Sequence, residues 1–242
     1  MADELTNPTA RLEELCRDEP GLAERIDAAI SIRQLGHALV GHEADPTLSR
    51  RIAAVARALS AELEKLPARS RAEMFTASPR FLAALESGVL EIGLGDGDEL
   101  DYFVDSVVSG SANPMGLALR IRREGDEVVA RTTVGPAFEG APGRVHGGIV
   151  AAMIDETMGA ILPMLGTLAY TAQLRLDYLK PTPVNTPIEV RSRLRQRKGR
   201  RLTLEAEVFD RDEMTVRAEA LFLTVDIAAF IPAELGGPNP RQ

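Results

Sequence analysis

One cysteine, three histidines and fewer basic than acidic residues set the first limits on this 242-residue chain. Cys16 has no partner for an internal disulfide, which suits a reducing compartment. Three scattered histidines and one cysteine are a poor ligand set for zinc, so no metal is expected; a cofactor is not expected either. The G-x-S-x-G turn of a serine hydrolase does not occur. Lys and Arg total 28 against 36 Asp and Glu, a net charge of −8, which argues against a general nucleic-acid binder. No charged-then-apolar leader opens the chain and no apolar run reaches the length of a membrane span, so the expectation is a cytoplasmic protein with no membrane span. What is present is ordinary for a globular protein, 45% hydrophobic and 26% charged residues, and the length allows a core domain with an appendage.

Residues 1–66 read as an N-terminal helical extension. Asn7-Pro8-Thr9 is a plausible helix start; Leu12, Leu15, Leu22, Ile26, Ile30 and Leu35 follow at helical spacing, with a break allowed at Pro20-Gly21. Asp45-Pro46-Thr47 starts a second helix with Leu48, Ile52, Val55, Leu59 and Leu63 on one stripe, and Pro67 ends it. His37 and His42, near the junction, read as helix-end or surface positions rather than ligands. Residues 67–104 read as an irregular linker or lid. Gly93, Gly95 and Gly97 lack the flanking strand and helix of a nucleotide loop, and Asp96, Asp98, Glu99 and Asp101 lack calcium-loop spacing, so a solvated loop is expected there.

From Gly116 the pattern changes to period two. Residues 117–123 and 128–134 read as strands joined by a Gly125-Asp126 turn, and four more strands are expected near 168–179, 187–197, 201–209 and 214–225. Between the two groups Val145–Leu162 is apolar on nearly every side, the mark of a buried helix, with Pro163 to end or bend it. Strands without alternating helices exclude a doubly wound sheet. An α+β fold is expected, a six-stranded antiparallel sheet wrapped round one long helix, which is the hot-dog architecture. It occupies residues 105–228, and residues 229–242 are a C-terminal tail.

Asp155 and Glu156 interrupt that apolar helix, and burying a charge costs several kcal/mol unless it is compensated. Gly147 and Gly148 stand at its start, where unpaired N–H groups and the positive end of the helix dipole could hold an oxyanion. Asp155 follows Gly147 by eight residues, about 12 Å along the helix, so one helix cannot easily bring both to one atom. Two antiparallel copies could, which predicts a dimer with sites at its interface.

Gly143–Gly159 resembles the HGG-x-x-A-x-x-x-D signature of hot-dog acyl-CoA thioesterases of the PaaI-like, 4HBT-type group. Residues Thr171–Pro183 resemble that family's strand with its basic-Pro-x-Pro end; Lys198-Gly199-Arg200-Arg201 resembles its Gly-Arg-Lys hairpin tip, and Phe138–Gly143 the loop before the motif. The resemblance covers roughly residues 105–226. It implies Asp155 as base or nucleophile, Gly148 or Gly147 as oxyanion donor, Thr171 as the group that orients water, and His146 mainly as a positioner of the loop.

Residues Arg191–Arg201 hold seven basic side chains in eleven positions. A three-residue loop, Lys198-Gly199-Arg200, would set Arg193 opposite Glu205, Arg191 opposite Glu207 and Leu194 opposite Leu204, with Arg191, Arg193, Arg195 and Arg197 on one face. Two arginines are thereby neutralised. Arg195, Arg197, Lys198, Arg200 and Arg201 remain as surplus positive charge suited to phosphate. The family uses this tip for coenzyme A, which implies Lys180, Arg197, Lys198, Arg200 and Arg201 as substrate-binding residues. The expected function is hydrolysis of an acyl- or aryl-CoA to free acid and CoA, a step of lipid metabolism, by a homodimer at minimum and a tetramer as the next assembly. The alternatives are a hot-dog enoyl-CoA hydratase, for which His146 is poorly placed, and a non-catalytic acyl-CoA sensor.

Overall fold

The computed structural model describes residues 20–70, 86, 95–100 and 104–226; the Asn7-Pro8-Thr9 start, Gly93, Asp101 and the 229–242 tail lie outside them. Alternation of buried and exposed residues builds one antiparallel sheet. Its strands are β1 (Glu99–Leu100), β2 (Arg120–Glu124), β3 (Glu127–Thr133), β4 (Leu168–Tyr178), β5 (Pro187–Lys198), β6 (Arg201–Asp210) and β7 (Glu213–Val225), in the order β1-β2-β3-β5-β6-β7-β4. Among the described residues, helices α1 (Leu22–Gly41) and α2 (Pro46–Leu63) precede the sheet, and α3 (Gly147–Gly159) packs on it. Val128, Ala130, Val190, Leu202, Leu204, Val208 and Phe222 form the sheet side of the core, and Val150, Met153, Ile154 and Met158 form the helix side. Met153 is fully enclosed, so truncation to Ala would cost about 2–5 kcal/mol. This is the hot-dog architecture, with seven strands where six are expected.

The seventh strand, β1, comes from the segment expected to be a solvated loop. Its acids have partners: Glu99 pairs with Arg120 at 2.9 Å, and Asp96 Oδ1 accepts the Gly125 N–H at 2.7 Å, which clasps the β2–β3 turn. α3 starts two residues later and ends three earlier than its apolar run. Val145 is extended and bridged to Glu139, and the chain beyond Gly159 tightens into a 3-10 turn at Leu162–Leu165. Gly147–Leu165, 19 residues with mean hydropathy 1.5, is in fact long and apolar enough to cross a membrane by length and composition alone; here half of that window is buried inside the protein. Its remaining residues, among them Ile149, Ala151, Ala152 and Asp155, are only half-buried, so α3 is covered by the sheet on one side and not on all. β4 is the last strand, 11 residues long, with no neighbour on its outer edge among the described residues.

The two N-terminal helices differ in attachment. α1 begins directly after Gly21, and buries Leu22, Ile26 and Ala29. Arg25 pairs with Asp105 at 2.6 Å, and the Arg33 guanidinium donates to the carbonyls of Ser111 and Asn113. α2 is well capped, since Asp45 Oδ1 accepts the N–H groups of Thr47 and Leu48, but it fully buries no residue, and Leu48, Val55, Leu59 and Leu63 of its stripe are exposed.

Candidate active site

The start of α3 is built by an extended histidine. His146, at φ −59° and ψ 131°, turns its Nδ1 to accept the Gly148 N–H at 3.0 Å. Its carbonyl accepts the N–H groups of Ile149 and Val150. Of the four orphan donors at this helix end, the Gly147 N–H alone has no partner among the described residues. Of the two glycines named as oxyanion candidates, Gly147 is therefore the one whose N–H is open among the described residues. The loop before it is tightly fitted: a Cβ on Gly140 would lie 2.9 Å from His146 Cα, and the His146 N–H donates to the Phe138 carbonyl at 2.9 Å. Tyr178 donates its hydroxyl to the Gly147 carbonyl at 2.8 Å. A cavity of about 550 Å³ opens here, lined by Arg144, His146, Gly147, Tyr178, Lys180 and Thr182 among others.

Asp155 does not line that cavity. It meets Thr171 instead, whose Oγ1 donates to Asp155 Oδ1 at 2.8 Å. A bulge in β4 between Thr171 and Gln173 sets the local aim of the strand. Oδ2 of Asp155 has no protein partner among the described residues, so it can accept a proton from water or attack a carbonyl. Glu156, one residue on, is committed elsewhere: its Oε1 accepts from the hydroxyls of Ser106, at 2.7 Å, and Ser109.

Register fixes where the basic tip lies. Thr171 pairs with Phe222, Phe222 with Leu202, and Leu202 with Arg197, one row across four strands with all four side chains on the helix side. Three strand spacings put Arg197 about 14 Å from Thr171. The expected pairs Arg191–Glu207, Arg193–Glu205 and Leu194–Leu204 are present, yet the loop has two residues, Gly199-Arg200, and the extra residue is a bulge at Arg195. The bulge breaks the expected single face of arginines and turns Arg197 toward the helix side. It also gives Arg195 a partner, Glu219 at 2.5 Å, so Arg195 is not surplus charge. Arg191 pairs with Glu189 at 2.6 Å rather than with the opposed Glu207, and Arg193 binds Glu205 and Glu127. Arg197, Lys198, Arg200 and Arg201 make no ion pair among the described residues; the Arg200 Nε donates to the Thr224 carbonyl. Lys180 stands at the cavity end of β4, away from the tip, and is paired with Glu213.

One chain thus gathers His146, Gly147 and Lys180 at one end of β4, and Asp155, Thr171 and the tip cations at the other. Sequence reasoning missed Tyr178, Ser106 and Ser109. Each acts on a residue at least 31 positions away, which no local spacing reveals. No cluster of three metal-binding side chains occurs among the described residues.

Comparison with known proteins finds related sequences and a similar fold. Residues 142–217 match the model of the thioesterase superfamily. The chain is 33% identical over 121 residues to the acyl-coenzyme A thioesterase THEM4 of Bos taurus, covering 48% of this chain and 50% of that protein. It is 38% identical over 91 residues to THEM4 of Rattus norvegicus, covering 37% of this chain and 39% of that protein. The chain spans about half or less of the length of these curated relatives. A crystal structure of a thioesterase superfamily protein has the same fold, with a TM-score of 0.66 at 22% identity, covering 82% of this chain and 90% of the other. The similarity to the thioesterase superfamily model is confined to residues 142–217.

Proposed function

We propose that this domain hydrolyses an acyl- or aryl-CoA thioester to free acid and CoA, in sites shared between two copies of the chain. The observation that carries the reading is the Thr171–Asp155 hydrogen bond of 2.8 Å, which orients one carboxylate oxygen and leaves the other open. Asp155 serves as base or nucleophile at the thioester carbon. The Gly147 N–H receives the oxyanion, and the CoA thiolate leaves. The activity named for the THEM4 relatives supports the same chemistry. Arg197, Lys198, Arg200 and Arg201 suit the phosphates of CoA, and no cofactor beyond the substrate is required.

A single chain keeps Gly147 and Asp155 about 12 Å apart. The outer edge of β4, which has no neighbour among the described residues, supports a remedy. A second copy paired antiparallel along that edge, centred near Leu174 and Arg175, would set the Thr171 end of one strand beside the Tyr178 end of the other. The half-covered side of α3 would then face its counterpart. Each site would draw Asp155 and the tip cations from one copy, and Gly147 and Lys180 from the other.

The first experiment mixes purified protein with acyl-CoAs of varied chain length and aryl type and measures free thiol. Thiol release is expected, and a panel without release overturns the reading. Sharing is tested by mixing two inactive variants, Asp155→Asn and Gly147→Pro. Proline is tolerated at the first helical position, and His146 before it is already extended. In a mixed dimer one site carries both defects and the other none, so re-annealing should restore activity. Exchanged, folded dimers that stay inactive would place each site within a single copy.

A further inference from the structure

His37 lies 100 residues before its partner. Its Nδ1 accepts the Ala137 N–H at 3.2 Å, and its ring meets Phe138 edge-on, with centroids 5.3 Å apart and planes at 72°. The fit leaves no slack, because a Cβ on Gly135 would fall 2.6 Å from His37 Nδ1. Ala137 and Phe138 belong to the 3-10 turn Pro136–Phe138. The Phe138 carbonyl in turn accepts the N–H of His146, which caps α3 and leaves the Gly147 N–H open. The path from His37 to the open donor is therefore short and continuous: His37 to the turn, the turn to His146, His146 to the start of α3.

We propose that His37 is a positioning residue of the active site: from helix α1 its neutral imidazole holds the Pro136–Phe138 turn, and through Phe138 and His146 it fixes the direction of the Gly147 N–H. This gives the N-terminal extension a role in catalysis, and it rests on the thioesterase reading above. Only an unprotonated Nδ1 can accept the Ala137 N–H. Burial pushes the His37 imidazole below its ordinary range, and the nearby Arg33 guanidinium of the same helix pushes it the same way. The facing residues, Gly135 to Phe138, contribute no ionisable side chain. A folded-state value below the unfolded one means that the docking is complete above the ordinary imidazole range and is lost as pH falls through the lowered value.

Three proteins carrying the whole 242-residue chain test this: wild type, His37→Leu, which keeps bulk and removes the acceptor, and His37→Asn, which restores an acceptor that does not titrate. Turnover of acyl-CoA is measured from pH 5 to 8, together with amide hydrogen exchange of residues 135–150. His37→Leu should lower kcat about tenfold with KM within about twofold, and should speed exchange at Ala137, His146 and Gly148. His37→Asn should recover most of the loss and flatten the acid limb. Unchanged kcat in His37→Leu, or faster exchange that stops at Phe138, would overturn the proposal. If the wild type releases no thiol from any acyl-CoA, the thioesterase reading falls, and the exchange data decide the coupling alone. Faster exchange reaching Gly148 sustains it, and exchange confined to the turn refutes it.

Discussion

On the proposed reading, the two ends of β4 hold complementary halves of a reaction. At the Tyr178 end lie a helix N–H without a partner among the described residues, a cavity of about 550 Å³ and Lys180. At the Thr171 end lie a carboxylate with one oxygen open and a hairpin tip with four cations lacking ion pairs, both among the described residues. Neither end is sufficient. An oxyanion donor without a base stabilises a charge that never forms, and a base without a donor pushes against the full cost of the tetrahedral oxyanion. An edge strand 11 residues long, with no neighbour on its outer edge among the described residues, is an aggregation hazard unless something covers it. The same edge, paired with itself, would cover that hazard and bring the two halves together.

The largest expected effect comes from deleting the reactive group at the Thr171 end. Asp155→Asn keeps the shape and should lower kcat by roughly 10²–10⁴, the range for a lost general base. Thr171→Ala leaves the carboxylate but removes the donor that aims it, and should cost about tenfold. A hydrogen bond to a charged group is worth about 1.5–3 kcal/mol, and an open solvent side replaces part of it. Steady-state kinetics on one acyl-CoA would order the two, and a larger loss from Thr171→Ala than from Asp155→Asn would break the assignment. Removing Arg200 and Arg201 together comes next. Each exposed charge contact is worth about 0.2–1 kcal/mol, so KM for acyl-CoA should rise by up to roughly 30-fold with kcat retained. A short thioester without the nucleotide should be unaffected, and equal changes on both substrates would show that the tip is structural.

Much of this comparison is legible before any coordinates, for reasons that differ by element. The strands are read to within a few residues because one buried face enforces period two. The β5–β6 register is read from charge, since Arg193 against Glu205 and Leu194 against Leu204 fit only one offset. The bulge at Arg195 escapes because counting by twos cannot detect an inserted residue, and a three-residue loop without a bulge yields the same base register. The start of α3 is misplaced because apolarity marks burial rather than dihedral angles, and Val145 is buried yet extended. His37 escapes because its partner is distant: on α1 alone it is one more polar residue near a helix end, and its meaning comes from a turn that folds against it.

The smallest effect on turnover is expected next to the largest. Glu156 follows Asp155 directly, points about 100° away round the helix, and has one oxygen held by the hydroxyls of Ser106 and Ser109. Those serines belong to the segment that Arg25 and Arg33 tie to α1, so Glu156 links α3 to the N-terminal layer. Glu156→Gln keeps one acceptor oxygen and loses the charge. It should lower stability by about 1–2 kcal/mol, part of the worth of charge-assisted hydrogen bonds. Turnover at saturating acyl-CoA should stay within about twofold of wild type, since Oδ2 of Asp155 and the Gly147 N–H are untouched. Thermal unfolding and kinetics on the same preparation separate the two readouts. A variant that unfolds like wild type but turns over as poorly as Asp155→Asn would reverse the roles of the two carboxylates. The base would then be the one whose oxygen the serines hold, and Thr171 would be orienting a spectator.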